Sequence, residues 1–482
     1  MNSYTKEYNN TIPLVVDLDG TLIATDCLWE SLLILLKEKP IYLLYLPWWI
    51  FKGKFYFKKR VTDCTYLNIS VLPYRQHILD YIQVARLNNR QIILATATDM
   101  RIAKRIGEYS GIFVDIIATE TNNLSGKIKL QKIKELHPLD EFDYIGNSNA
   151  DLPIWKESRR AIIASSSKSL IDKVRTIHPD VEVLPENSDS RVTTFFKTIR
   201  VHQWIKNLLL FVPLFLAHRL SETDTLFKTF IAFISFSLCA SSVYILNDLF
   251  DLESDRQHPH KKNRPFASGI QQIPTGILLV PLFIIISSII AWVGVSLDFV
   301  FVLWAYLFIT TVYSFRLKKV VIVDVLLLAG LYSFRLYAGS VAGSVFLSPW
   351  LVAFAIFFFL SLAFVKRYSE LLLIFSVNNS QATGRGYYSS DSEIVKTVGM
   401  SCGLISVLVF ALYMNSREVT KLYHHPQLLW LIGICLLYWI IRVWLIAHRG
   451  EMHDDPIIFS IKDKASYLIV VLMIGILILA SL

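Results

Sequence analysis

Beyond about residue 190 the chain consists largely of long apolar runs, and this feature limits its possible folds more than any other. A bilayer core about 30 Å thick requires ~20 apolar residues per crossing helix. The runs predict nine spans, at roughly 204–218, 226–247, 274–293, 297–314, 321–343, 348–365, 394–414, 427–446 and 465–482, of which the first is short. Composition agrees: of 482 residues, 54% are hydrophobic and only 18% charged, against about 25% charged in soluble domains. Disordered, collagen-like and disulfide-scaffold chains are excluded. The five cysteines (Cys27, Cys64, Cys239, Cys402, Cys435) lack zinc-ligand spacing and read as reduced packing residues.

A net charge of +9 in so apolar a chain points to basic cytoplasmic loops and anionic substrates rather than to nucleic acid. One set of loops carries Arg256, Lys261, Lys262, Arg264, Arg316, Lys318, Lys319, Lys366, Arg367, Arg385, Lys396, Arg449, Lys462 and Lys464. The other carries only Arg219, Arg417 and Lys421. The positive-inside rule makes the first set cytoplasmic. The N-terminal half precedes an odd number of spans and falls on the same face. Met1–Pro13 is polar and lacks the apolar core of a signal peptide, so the chain is expected to begin in the cytosol.

Residues 1–190 read as α/β. Strand-like runs at Ile12–Leu18, Gln91–Ala95, Phe113–Ala118, Phe142–Ile145 and Arg160–Ala164 alternate with helix-compatible stretches such as Met100–Tyr109 and Leu130–Leu136. That alternation predicts a parallel, doubly wound, Rossmann-like sheet. Leu28–Phe57, with Trp48 and Trp49 in its apolar run Ile41–Phe51, is too short to cross a bilayer. It is expected to belong to a helical cap, at about 27–75, over the catalytic edge. Two placements of the run stay open: on the membrane surface, or buried as an insertion. Pro185–Thr194 is a polar linker, and 191–482 form the membrane half.

The first strand ends in Asp17-Leu18-Asp19-Gly20-Thr21. Two carboxylates two residues apart at a strand end point the same way. One suits a nucleophile and the other an acid that protonates a leaving oxygen, although a turn with solvated acids has the same spelling. Further on, Thr96 ends the second strand, Gly126-Lys127-Ile128-Lys129 offers a cation before a helix, and Gly146-Asn147-Ser148-Asn149-Ala150-Asp151 offers an acid for Mg²⁺. In this order the residues resemble the haloacid dehalogenase (HAD) superfamily over most of 12–165. The resemblance implies an aspartyl-phosphate phosphatase. Asp17 would be the nucleophile and Asp19 the general acid/base. Thr96 and Lys129 would bind phosphate, with Lys127 as the alternative cation, and Asp17, Asp19 and Asp151 would surround Mg²⁺. Asn147 stands where many members carry an acid, which keeps a degenerate, non-catalytic domain open beside an active one. P-type pumps also form an aspartyl phosphate. They read Asp-Lys-Thr-Gly-Thr and insert the domain between spans, so that reading is set aside.

The second predicted span runs into Asn247-Asp248-Leu249-Phe250-Asp251-Leu252-Glu253-Ser254-Asp255. On a continuous helix Asp248, Asp251 and Asp255 share a face, where like charges repel unless a cation lies between them. Mg²⁺ with a substrate diphosphate fits. Arg256, His258, Lys261, Lys262 and Arg264 follow at once.

Asn247-Asp248-x-x-Asp251-x-x-x-Asp255 resembles the first aspartate motif of the UbiA prenyltransferase superfamily, over about 195–482. Other stretches resemble its decaprenyl-phosphate phosphoribosyltransferase branch: Trp204-Ile205-Lys206-Asn207, His258-Pro259-x-Lys261-x-x-Arg264-Pro265-x-Ala267-Ser268-Gly269, Tyr313-Ser314-x-x-Leu317-Lys318, Asp324, Arg335 and Lys366-Arg367-x-x-Glu370-Leu371. A second DxxxD motif is missing, because Leu328 lies four residues after Asp324. The nearby Lys318 and Arg335 suit a phosphate, or Arg335 simply neutralises Asp324.

The resemblance implies about nine helices around a cavity, with Asp248, Asp251 and Asp255 as catalytic metal ligands. Lys206, Asn207, Asn247, Arg256, His258, Lys261, Arg264, Tyr313, Lys318, Asp324, Arg335, Lys366 and Arg367 would bind substrate. The implied reaction is Mg²⁺-dependent transfer of a 5-phosphoribosyl group from phosphoribosyl diphosphate to a polyprenyl phosphate, at the cytoplasmic membrane and in cell-envelope biosynthesis. The HAD-like half would then dephosphorylate the product. The alternative is transfer of a prenyl chain from a prenyl diphosphate to an aromatic acceptor, beside a regulatory or degenerate HAD-like half. A homo-oligomer is left open, and the His453-Asp454-Asp455-Pro456 loop has no assigned role.

Overall fold

The computed structural model describes residues 12–121, 123–136, 141–184, 190–375, 386–415, 423–452 and 455–481. The N-terminal segment up to Thr11, residues 185–189 of the expected linker, and Arg385, Arg417, Lys421, His453 and Asp454 lie outside them. The chain forms two compact units: Met1–Ile199 with Tyr244–Val280, and Arg200–Val243 with Pro281–Leu482.

In the first unit six strands, β1 (Leu14–Val16), β2 (Ile92–Asp99), β3 (Asp115–Thr119), β4 (Asp143–Gly146), β5 (Arg160–Ile163) and β6 (Glu182–Val183), form one sheet of order β3-β2-β1-β4-β5-β6. Every pairing is parallel. Five strands match the predicted runs, and β6, only two residues long, carries too little pattern to be read in advance. Side chains alternate across the sheet. Leu14, Val16, Ile92, Leu94, Ile145 and Ile162 face one layer with Ile78, Ile82, Ile102 and Ile106. Val15, Ile93, Ala95, Tyr144, Ala161 and Ile163 face another with Ile133, Ile154, Trp155 and Val174. A sheet covered on both faces must have apolar residues at odd and even positions alike. The central strand β1 therefore delivers Asp17 to the carboxyl edge, where open parallel sheets bind ligands.

Between β1 and β2 lie helices Cys27–Glu38, Leu46–Phe51 and Lys54–Cys64, the expected cap. Asp26 caps the first by accepting the Leu28 N–H at 2.8 Å. Leu35, Trp49 and Val61 form its small core.

The segment Tyr244–Val280 belongs to this unit through close contacts. The Arg256 guanidinium pairs with Glu30 of the cap at 2.6 Å. Lys37 Nζ donates to the Phe250 carbonyl at 2.6 Å, and Asn68 Nδ2 donates to Glu253 at 2.6 Å. Gly269, at φ +79°, sits so close that an added Cβ would lie 2.4 Å from the Ala24 carbonyl oxygen. No side chain fits there.

Eight helices among the described residues are long and apolar enough to cross a membrane: Thr223–Phe250, Ile273–Gly294, Leu297–Phe315, Val323–Gly343, Pro349–Leu372, Ser392–Met414, Pro426–His448 and Lys464–Ser481. The first of the nine predicted spans, 204–218, is not among these eight long helices. Val201–Phe211 is a 3₁₀ helix that passes into a short α-helix, Val212–Leu216. It is apolar but shorter than the others. In the second unit, buried indoles and hydroxyls tie neighbouring helices: Trp439 Nε1 donates to Ser466 and Trp444 Nε1 to Ser361, both at 3.0 Å. Such bonds satisfy polar groups that hydrocarbon cannot.

Candidate active sites

At the carboxyl edge of the sheet, the Lys129 ammonium lies 2.8 Å from Asp17 and 3.5 Å from Asp151, and all three side chains are buried. Lys127 is exposed, so Lys129 is the cation the fold brings in. Lys129 also donates to the Tyr144 hydroxyl at 3.0 Å, which donates to Asp151 at 2.8 Å. Thr21 donates to the other Asp17 oxygen at 3.1 Å. Burial pushes the Asp17 carboxyl up to about 7; Asp151 adds to the effect, and Lys129 opposes it. Burial works against the Lys129 charge, but Asp17 and Asp151 outweigh it and hold the ammonium above its ordinary range.

Asp19 turns to a different set of partners. It accepts the Cys27 N–H at 2.8 Å and the hydroxyls of Thr98 and Thr96. Thr96 is fully buried beneath it and also accepts the Thr98 N–H at 3.1 Å. Asp151 accepts the N–H groups of Asn147 and Ser148 at 3.2 and 3.1 Å. Over these groups opens a cavity of about 660 Å³, lined by both aspartates of the DxD pair, Lys58, Lys129, Asn147 and Asp151, and also by Gly269, Ile270, Gln272 and Ile273. Lys58 and Tyr144 are polar centres that the sequence reading missed. Lys58 donates to the Ala97 carbonyl at 2.7 Å and to Asn123 at 2.8 Å, and burial lowers its pKa against the pull of Asp19 and Asp26. Burial, with Asp19 adding, also raises the capping Asp26 to about 6.

At the aspartate motif, helix Thr223–Phe250 stops and helix Leu252–Gln257 begins, with Asp251 as the joint. The Asp251 N–H still reaches the Asn247 carbonyl at 2.9 Å, and the Asp255 N–H reaches Asp251 at 2.8 Å, so the turn is kept through the kink. Asp248 and Asp255, both buried, converge on Arg264 Nη1 at 3.1 and 2.6 Å. Burial raises the Asp255 pKa, and Asp248 adds to this, while Arg264 and Lys261 oppose it. His258 Nδ1 accepts the His260 N–H at 3.2 Å, which folds the basic loop back on itself. Arg256 is held by Glu30 and donates to the Ala267 carbonyl at 3.0 Å.

No three His, Cys, Asp or Glu residues among the described ones gather closely enough to hold a metal by themselves. Within the predicted three-acid sets, two acids of each converge on a basic side chain: Asp17 with Asp151 on Lys129, and Asp248 with Asp255 on Arg264. Mg²⁺ is commonly held by one or two carboxylates, with substrate phosphate and water completing its shell, so each pair fits that ion.

Within the second unit most of the expected substrate residues fall into three buried or half-buried groups. Arg335 Nε donates to Asn207 at 2.9 Å and Nη2 to the Tyr306 hydroxyl at 3.0 Å. Lys206 and Lys366 both reach Asp455 Oδ2, at 3.0 and 3.1 Å, with the Tyr332 hydroxyl 3.4 Å away. Burial pushes the Asp455 carboxyl up, but Lys366 and Lys206 outweigh it and hold the group well below the usual carboxylate range. Asp324 pairs with Arg367 at 2.6 Å and accepts the Tyr387 hydroxyl at 2.7 Å. Arg367 also pairs with Glu370. The partner of Asp324 is thus Arg367, which corrects the alternative in which Arg335 neutralises it. Tyr313 and Lys318 are half-buried, at the end of Leu297–Phe315 and in the turn that follows.

Residues 208–462, more than half of the chain, match the UbiA prenyltransferase family. The chain belongs to that family. With eight long apolar helices among the described residues, this UbiA-family chain is a multi-pass membrane protein. It is similar to the uncharacterized protein y4nM of Sinorhizobium fredii, at 36% identity over 96% of this chain and 90% of the relative. It is also similar to nodulation protein NoeC of Azorhizobium caulinodans, at 30% identity over 57% of this chain and 88% of that one. A decaprenyl-phosphate phosphoribosyltransferase of Mycolicibacterium smegmatis is 36% identical over 47% of this chain and 72% of its own length.

Proposed function

We propose that the chain is a bifunctional membrane enzyme: its UbiA-family half transfers a 5-phosphoribosyl group from phosphoribosyl diphosphate to a polyprenyl phosphate, and its HAD-like half removes the 5-phosphate from the product. The observation that carries the transfer reading is the convergence of Asp248 and Asp255 on one cationic group where a membrane-crossing helix ends. The similarity to decaprenyl-phosphate phosphoribosyltransferases supports the choice of substrates.

In the transfer step a phosphate oxygen of the lipid attacks the anomeric carbon, and the bond to the diphosphate breaks. Asp248 and Asp255 would hold Mg²⁺, whose charge neutralises the leaving diphosphate. Arg264 and Lys261, in the same loop, hold anionic oxygens in place. In the phosphatase half an Asp17 oxygen attacks phosphorus while Asp19 gives its proton to the departing ribosyl oxygen. Water, deprotonated by Asp19, then releases phosphate from Asp17. Lys129 steadies the Asp17 carboxylate and the phosphoryl oxygens, and Asp17 with Asp151 would hold a second Mg²⁺.

The setting is the cytoplasmic membrane, with the α/β half on the cytoplasmic face beside the basic 256–264 loop. The Glu30–Arg256 pair supports a shared face for these two segments. Helix Thr223–Phe250 must then begin on the far side, and the chain crosses once before it, through Val201–Leu216. Eleven 3₁₀ and five α residues span roughly 30 Å at about 2.0 and 1.5 Å per residue, which matches the hydrocarbon core.

The test is incubation of the detergent-purified full chain with labelled phosphoribosyl diphosphate, Mg²⁺ and polyprenyl phosphate. Label should enter lipid, and inorganic phosphate should follow. Turnover of a prenyl diphosphate with an aromatic acceptor, and none of phosphoribosyl diphosphate, overturns the reading.

A further inference from the structure

The cap carries an apolar face that its own core does not cover. Along Pro40–Phe51, Ile41, Leu44, Ile50 and Phe51 are 66, 80, 60 and 90% exposed, and Leu43 and Trp48 also project outward. The segment is not loose. Trp49, near its end, is buried against Leu35 and Val61, and Tyr42 packs on the Trp49 ring at 5.5 Å. Turning Trp49 inward points its neighbours out, so the exposure is built into the fold. Such a face in water is costly and marks a partner.

We infer that this segment lies in the membrane interface, with its apolar face at the boundary of the acyl chains. Three features identify the lipid surface as the occupant. The cap is fastened to the end of a membrane-crossing helix, because Lys37 Nζ donates to the carbonyl of Phe250, the last residue of Thr223–Phe250. Pro40 follows Lys37 by three residues, so the apolar face begins within about 10 Å of the Lys37 backbone. The rim is cationic, with Lys37, Lys39, Lys52 and Lys54 exposed, and this complements anionic headgroups. Lys52 Nζ lies 4.0 Å above the Trp48 ring, an aromatic–lysine pairing suited to the headgroup level. The inference is independent of which reaction either half performs.

The test uses the full chain in vesicles of mixed neutral and anionic phospholipid. Phe51 is replaced by a fluorescent aromatic amino acid; Leu44 is replaced in a second protein, and Leu87, 77% exposed on a helix remote in sequence, in a third as the reference. Brominated acyl chains should quench positions 44 and 51 by roughly twofold or more, as expected for insertion of about 5–10 Å, and should leave position 87 bright. Aqueous iodide should quench only position 87. Iodide quenching at 44 and 51 places the segment in water and overturns the inference. Protection from both quenchers there means that protein, such as a second copy, covers the face, and overturns it equally.

Discussion

Glu30 and Arg256, 226 residues apart in sequence, form a bidentate ion pair: Nη2 and Nη1 donate to the two carboxylate oxygens at 2.6 and 3.2 Å. Both side chains are almost fully shielded from solvent. Removing one partner strands a buried charge, at a cost of about 3–5 kcal/mol. Glu30→Gln and Arg256→Met are each expected to lower the melting temperature in detergent. The double variant should lose clearly less than the sum, which a double-mutant cycle measures.

Asp17→Asn and Lys129→Met are expected to lower phosphate release from the lipid product at least about 10²-fold and to leave ribosyl transfer intact. Tyr144→Phe retains the ring but loses the hydroxyl that links Lys129 to Asp151, so it should cost less than either. Parallel assays of label entering lipid and of phosphate released check all three. An Asp17→Asn protein that still releases phosphate would mean the first half is a scaffold.

The reverse pattern is expected at the aspartate motif. Asp248→Asn or Asp255→Asn removes half of the carboxylate pair and should reduce transfer about 10²-fold or more. Hydrolysis of a small phosphate ester should continue. Titrating Mg²⁺ against the transfer rate separates weaker metal binding from lost chemistry.

Asp455 provides a pH signature. Lys366 and Lys206 hold its folded pKa below the unfolded value of about 3.9. The stabilisation is therefore fully present above that unfolded value and is lost as pH falls through the folded one. Asp455→Asn should lower the melting temperature at pH 7 and flatten its decline in acid. Thermal scans from pH 2 to pH 7 give the comparison, with the gap between the two proteins shrinking below about pH 4.

Topology can be checked directly. Residues His218 to Glu222, between Val201–Leu216 and Thr223–Phe250, are expected on the outer face. A reporter inserted there should be active only outside the cytoplasm. The same reporter near Gln257 should show the opposite.

Much of the first unit could be read in advance because its motifs are local. The DxDG turn follows β1 by a single residue, and a covered parallel sheet gives continuous apolar strands. Lys129 could be nominated but not separated from Lys127, since two lysines on neighbouring helix faces differ only once the helix packs. Tyr144 gave no signal: its hydroxyl is a hub only because β4 lies beside Asp17 and Asp151. Asp455 was out of reach for a similar reason, as its two lysines lie 249 and 89 residues away. The Asp324–Arg335 pairing could have been rejected beforehand. Both residues lie on Val323–Gly343, and eleven residues of α-helix rise about 16 Å.

The contact between Gly269 and Ala24 makes the polar junction before residue 190 a false seam. A wall of the hollow above Asp17 is supplied from beyond the membrane-crossing helix Thr223–Phe250, so a protease cutting the junction would not set free a complete α/β domain. The severed pieces would stay clasped and would co-purify, and a gene truncated there would encode a domain with one side of its chamber missing.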